Sequence, residues 1–70
     1  MEQVKINSEY IKLDQFLKWA GACDNGGMAK SLILDGLVKV NGNIEIQRGK
    51  KIRNGDIVEF DNIKYEVVQE

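Results

Sequence analysis

Seventy residues with no histidine, no proline and one cysteine leave room for a single domain, expected to span residues 1–70, and little equipment for chemistry. A domain of this size buries only about 60% of its unfolded surface, so a deep substrate cavity beside a stable core is not expected. Without imidazole there is no ordinary general base near neutral pH, and Cys23 alone builds neither a thiolate metal cage nor an internal disulfide, so the expectation is a non-enzyme with no cofactor and no metal, suited to a reducing cytoplasm.

The opening stretch MEQVKINSEY has neither an apolar signal core nor an arginine-rich targeting face, and no run approaches membrane-spanning length. The net charge of −1 hides a division along the chain. Residues 1–11 carry −1, residues 12–53 carry +4 and residues 54–70 carry −4. Any polyanion should therefore meet the middle of the chain.

In chain order, QVKIN alternates as a short edge strand with Val4 and Ile6 on one face. A first helix is expected from Asp14, read as its N-cap, to Ala20, with Gly21 ending it and Leu13, Leu17 and Ala20 on its apolar face, Phe16 at the border. A second helix fits residues 26–35, capped by Asp24 or Asn25 and closed by Gly36. Its buried face should hold Met28, Ala29, Leu32 and Ile33, leaving Leu34 partly exposed on the side of Lys30. VKV, the turn Asn41-Gly42 and NIEI read as a hairpin in which Val38 and Val40, then Ile44 and Ile46, alternate with polar residues. A basic connection over Arg48 to Arg53, a turn at Asn54-Gly55, the strand DIVEF, a turn at Asp61-Asn62 and the strand IKYEVV complete an α+β fold, two short helices on a small antiparallel sheet.

The segment KLDQFLKWAGACDNGGMAKSLILDGLVKVNG, residues 12–42, resembles the αL RNA-binding motif of the S4 domain family, seen in small-subunit ribosomal protein S4, pseudouridine synthases and bacterial tyrosyl-tRNA synthetases. Lys12-Leu13-Asp14 matches the family's basic-Leu-Asp start, Gly21 its break, Ala29 with Leu32-Ile33 its second-helix face, and Gly36 with Val38, Val40, Asn41 and Gly42 its exit. Ile52, Gly55, Asp56 and Val58 resemble the closing Val-x-x-Gly-Asp-x-Ile, so the likeness covers about residues 11–60. The chain departs from the pattern where relatives often place Ser/Thr-Arg: it has Asn25-Gly26, then Gly27. That departure, the short length and the RGKKIR segment make it most similar to the stand-alone YaaA-type S4 proteins, and the resemblance implies binding of structured ribosomal RNA and a part in large-subunit assembly.

Physical chemistry names the same residues. A helix N-terminus presents unpaired amides and about half a positive charge, so Asn25, Gly26 and Gly27 are candidate phosphate donors, the alternative being that the glycines only permit a tight turn. Lys12, Lys18 and Lys30 lie opposite the apolar stripes, and Lys39 faces away from Val38 and Val40; a phosphate track or a merely solvated face would both use them. Arg48, Lys50, Lys51 and Arg53 put four cations into six residues, dense enough to attract RNA but too short to specify a base sequence, unless they only guard an exposed edge. Trp19 is read as packing at the core rim, with base stacking as the alternative, while Tyr10, Tyr65, Phe16 and Phe60 are read as core or sheet residues.

The expected partner is therefore RNA, ribosomal RNA or ribosomal particles, bound by a monomer with no membrane and no small-molecule substrate involved. The competing reading is a protein-interaction module in which Leu34, Trp19 and the acidic end dock on a ribosomal protein or assembly factor.

Overall fold

The computed structural model describes residues 1–70. Strand β1 (Glu2–Ile6) is followed by the short β2 (Ile11–Lys12), which runs straight into helix α1 (Leu13–Trp19). Helix α2 (Gly26–Leu34) follows a tight interhelical turn, and then come β3 (Val38–Val40), β4 (Asn43–Ile44), β5 (Lys51–Ile52), β6 (Ile57–Phe60) and β7 (Ile63–Gln69). No helix is long and apolar enough to cross a membrane.

Five strands form one sheet in the order β1-β7-β6-β3-β4, and β2 with β5 forms a separate two-stranded ribbon. The sheet is antiparallel except at one edge, where β1 pairs parallel to β7. Its hairpins turn on residues that tolerate left-handed backbone: Asn41 and Gly42 at φ 52° and 86°, and Asp61 and Asn62 at φ 55° and 63°. These are the turns whose twist matches that of the flanking strands.

The core is entirely apolar apart from the Tyr65 hydroxyl and the Cys23 thiol. Leu13, Phe16 and Leu17 from α1 and Ala29 and Ile33 from α2 meet Val38, Val40, Val58, Tyr65 and Val67 from one face of the sheet. Phe16 meets Tyr65 edge to face, with ring centroids 6.3 Å apart, which fixes α1 on that face. Burial lifts the Tyr65 hydroxyl above its usual pKa, with Glu2 and Asp61 adding to the effect.

Helix α2 is built as its sequence suggests: the Asn25 side chain accepts a hydrogen bond from the Met28 amide at 2.8 Å, and Gly36 takes φ 75° past its end. Only Ala29 and Ile33 of its expected face are fully buried; Leu32 is half-buried and Met28 is exposed, because a nine-residue helix meets the core along a narrow stripe.

Helix α1 starts differently from the expectation. Lys12, not Asp14, holds the N-cap position and no side chain caps it; Asp14 lies inside the first turn and accepts from the Gln15 amide at 2.8 Å. The free amides at the start of the helix are taken by the basic loop: Leu13 N–H donates to the Lys50 carbonyl at 2.8 Å and Asp14 N–H to the Arg48 carbonyl at 3.1 Å. The loop between β4 and β5 thus clamps the start of α1.

The two motif segments that are far apart in sequence are joined at Asn41. Its side-chain oxygen accepts from the Ile57 amide at 2.9 Å and its Nδ2 donates to Asp56 at 3.1 Å, while the other Asp56 oxygen accepts from the Arg53 amide at 2.8 Å. The turn at residues 53–56, with Gly55 at φ 90°, is therefore pinned to the β3–β4 turn, and this fixes where β5 and its cations leave the sheet.

Candidate functional site

The ribbon of β2 and β5 builds the densest charge in the molecule. Its register sets Ile11 opposite Ile52 and Lys12 opposite Lys51. Like charges directly across a strand pair are destabilising, so the pairing of Lys12 with Lys51 does not serve the fold. The clamp on α1 brings Lys50 and Arg48 to the same end. Of the ten Lys and Arg residues only Arg53 forms an ion pair, to Glu9 at 3.5 Å, and both side chains are largely in water. Lys12, Arg48, Lys50 and Lys51 have no acidic partner in the chain.

Tyr10, expected in the core or sheet, instead stands at this end and is 38% exposed. The Lys51 ammonium lies 4.9 Å from its ring centroid and the Arg53 guanidinium 5.4 Å, so one aromatic ring gathers two cations of the loop. Strand alternation gave the signal: with Ile11 turned inward, Tyr10 and Lys12 both face out.

The other expected residues distribute over three places. Lys18 borders a shallow hollow with Ile11, Gln15 and Trp19, next to the ribbon, and lies close enough to Cys23 to favour its thiolate. Burial outweighs that influence and raises the Cys23 pKa, so the group stays a protonated thiol at neutral pH and packs as a small core side chain. Lys30, Asn25, Gly26 and Gly27 form a second group on α2, which packs against α1. Lys39 is not brought to either group: in β3 it faces away from the core, in register with Glu59 of β6, which is itself in register with Lys64. That open face is a ladder of alternating charges rather than a cationic patch.

The two helix starts are not equivalent. The first amides of α1 are occupied by the loop carbonyls and by Asp14, whereas the Gly26 and Gly27 amides of α2 have no partner within the chain. Nor does the backbone need glycine at those positions. Neither glycine has a left-handed φ, a Cβ on Gly26 would meet open space, and one on Gly27 would only touch the Asn25 side chain at 3.4 Å. Glycine at both positions thus leaves two bare donors approachable without serving the turn. The Gly26→Ala, Gly27→Ala double variant should fold with unchanged or slightly higher melting temperature and bind RNA several-fold more weakly; undiminished binding by the folded variant would assign these amides no role.

The family model of the S4 domain matches residues 4–68. The chain belongs to the S4 domain family. A probable ribosome maturation protein of Bacillus subtilis (strain 168), RlbA, is 41% identical over 58 residues, covering 83% of this chain and 82% of that protein. Among solved structures, that of YbcJ from E. coli, described as revealing an αL motif involved in RNA binding, superposes with a TM-score of 0.74 at 32% identity over 97% of this chain and 87% of that one. The segment that resembles the αL motif, residues 12–42, holds the two helices and ends at the β3–β4 turn, and the expected α+β fold is the one the structure has. Among the residues, sequence reasoning passed over Tyr10 and the loop carbonyls that clamp α1.

Proposed function

We propose that this S4 domain, acting as one non-catalytic unit in the cytoplasm, binds structured ribosomal RNA through its phosphates and serves ribosome maturation, with assembly of the large subunit as the step. The observation that carries the reading is the ribbon with Lys12 opposite Lys51, reinforced by Arg48 and Lys50, none of the four in an ion pair within the chain. A polyanion laid across this end relieves the repulsion that folding leaves in place. The bare amides of Gly26 and Gly27, with Lys30, supply a second phosphate contact, and Lys18 lies on the helix between. With extents of 30 × 21 × 18 Å the whole domain fits within about one turn of a duplex, and contacts made by cations and backbone amides to phosphates position a protein on RNA without reading sequence. The names of the two relatives, one a ribosome maturation protein and the other carrying an RNA-binding motif, support the same reading.

A second reading has one observation behind it. Leu34, Leu37, Ile44 and Ile46 are all exposed around the β3–β4 hairpin, where alternation had suggested that Ile44 and Ile46 would pack. The register sets Ile44 opposite Lys39, which faces away from the core, so Ile44 and, two residues on, Ile46 fall on the outer side. Such a patch suits a protein partner on the ribosome. Salt and nuclease separate the two: capture of ribosomal particles should weaken steeply with salt and disappear after nuclease treatment if RNA is the ligand. Capture that survives both would favour protein docking and overturn the proposal.

A further inference from the structure

We infer that the hollow between β2 and α1, lined by Ile11, Gln15, Lys18 and Trp19, receives one unpaired nucleobase of the RNA, so that the target is a stem carrying a bulged or looped-out nucleotide. The inference rests on the RNA-binding reading and narrows its ligand. Trp19 is the only tryptophan and the largest side chain in the protein, yet it is 58% exposed while the core closes without it. Core-rim packing, the expectation from sequence, is not what it does. Its Nε1–H donates to the Lys5 carbonyl of β1 at 2.8 Å, which satisfies the only polar atom of the indole and fixes the ring. What remains in water is π surface held in one place, the requirement for stacking a base.

The other three residues complete the fit. Ile11 supplies an apolar wall, and its neighbour Lys12 faces Lys51 across the ribbon, so the hollow opens beside the cationic end where the backbone of the same nucleotide would run. Lys18 at the rim adds a cation and the lining has no acid, which suits a nucleotide and disfavours an acidic peptide. The Gln15 side chain has no partner in the chain and offers both a donor and an acceptor, the pattern a base edge presents. Bases within a continuous stem are stacked on each other and cannot enter.

Because Trp19 is the sole tryptophan, its emission reports on this hollow alone. Two fluorescein-labelled RNAs are compared, a fully paired duplex of about 16 base pairs and the same duplex with one unpaired nucleotide, prepared with each of the four bases. Anisotropy of the label follows binding independently of the indole. The bulged RNAs should quench Trp19 emission and bind about tenfold or more tightly than the paired duplex, which should bind without quenching. Gln15→Ala, which leaves the indole and its bond to Lys5 intact, should reduce the margin between bulged and paired RNA while leaving duplex affinity unchanged. Binding of the bulged RNAs with no more quenching than the duplex gives would overturn the base site and leave the phosphate site standing. Absence of binding to every RNA would overturn both.

Discussion

Replacing Lys12, Arg48, Lys50 and Lys51 together with alanine should weaken binding to structured ribosomal RNA by about two orders of magnitude or more at roughly 50 mM salt, without unfolding the protein. Each cation that neutralises a phosphate contributes about 0.7 to 0.9 to the slope of log affinity against log salt, so four lost contacts should flatten that slope by about 3. The fold should tolerate the change because none of the four side chains makes a hydrogen bond or an ion pair in the chain. The clamp on α1 uses the carbonyls of Arg48 and Lys50, which alanine retains, and removing Lys12 and Lys51 abolishes a like-charge pair. Anisotropy titrations at several salt concentrations and a thermal melt check both halves. Lys39→Ala and Lys64→Ala, on the open face beside Glu59, serve as controls and should change affinity little.

Asn41→Ala should be the most damaging exposed substitution for the fold, costing about 2 to 4 kcal/mol. Two hydrogen bonds are lost, to the Ile57 amide and the Asp56 carboxylate, each worth about 0.5 to 1.5 kcal/mol. Alanine must also take up φ 52°, which asparagine tolerates and other side chains resist by about 1 kcal/mol. For a domain of this size each kcal/mol moves the melting temperature by about 4 to 8 °C, so the loss should be plain in a thermal scan. Asn41→Gly, free of the backbone strain, should recover part of it. Asn41→Asp keeps an acceptor for Ile57 but sets a carboxylate against Asp56, so its defect should be large at neutral pH.

Much of this architecture could be read from local patterns, because the relevant forces are local. Asn25 announces α2 as a cap, Gly21 and Gly36 take the left-handed backbone that ends a helix, and Asn41-Gly42 and Asp61-Asn62 make the turns their residue types favour. Asp14 misled for the opposite reason: it looks like a cap, but the helix already starts ahead of it at Leu13, where the Leu13 and Asp14 amides are bonded to carbonyls more than thirty residues away, and no local pattern reveals a tertiary clamp. The parallel pairing of β1 with β7 is hidden in the same way, since it joins the two ends of the chain. Among the candidate RNA contacts, spacing alone gathered cations that topology then sorts. Lys12 and the loop meet at the ribbon, whereas Lys39 faces out from the sheet beside Glu59. Trp19 defied its composition-based reading because one hydrogen bond to Lys5 is enough to hold an indole on the surface.

Amide chemical shifts of the 15N-labelled protein, followed as structured ribosomal RNA is added at low salt, address the RNA face most directly. Changes should concentrate at Lys12 to Gln15, at Arg48 to Lys51 and at Gly26 and Gly27, with Lys39, Glu59 and Lys64 unmoved. Perturbation gathered instead on the open sheet face or around Leu34, Leu37 and Ile46, with the ribbon silent, would contradict the assignment of this end as the place where RNA lies.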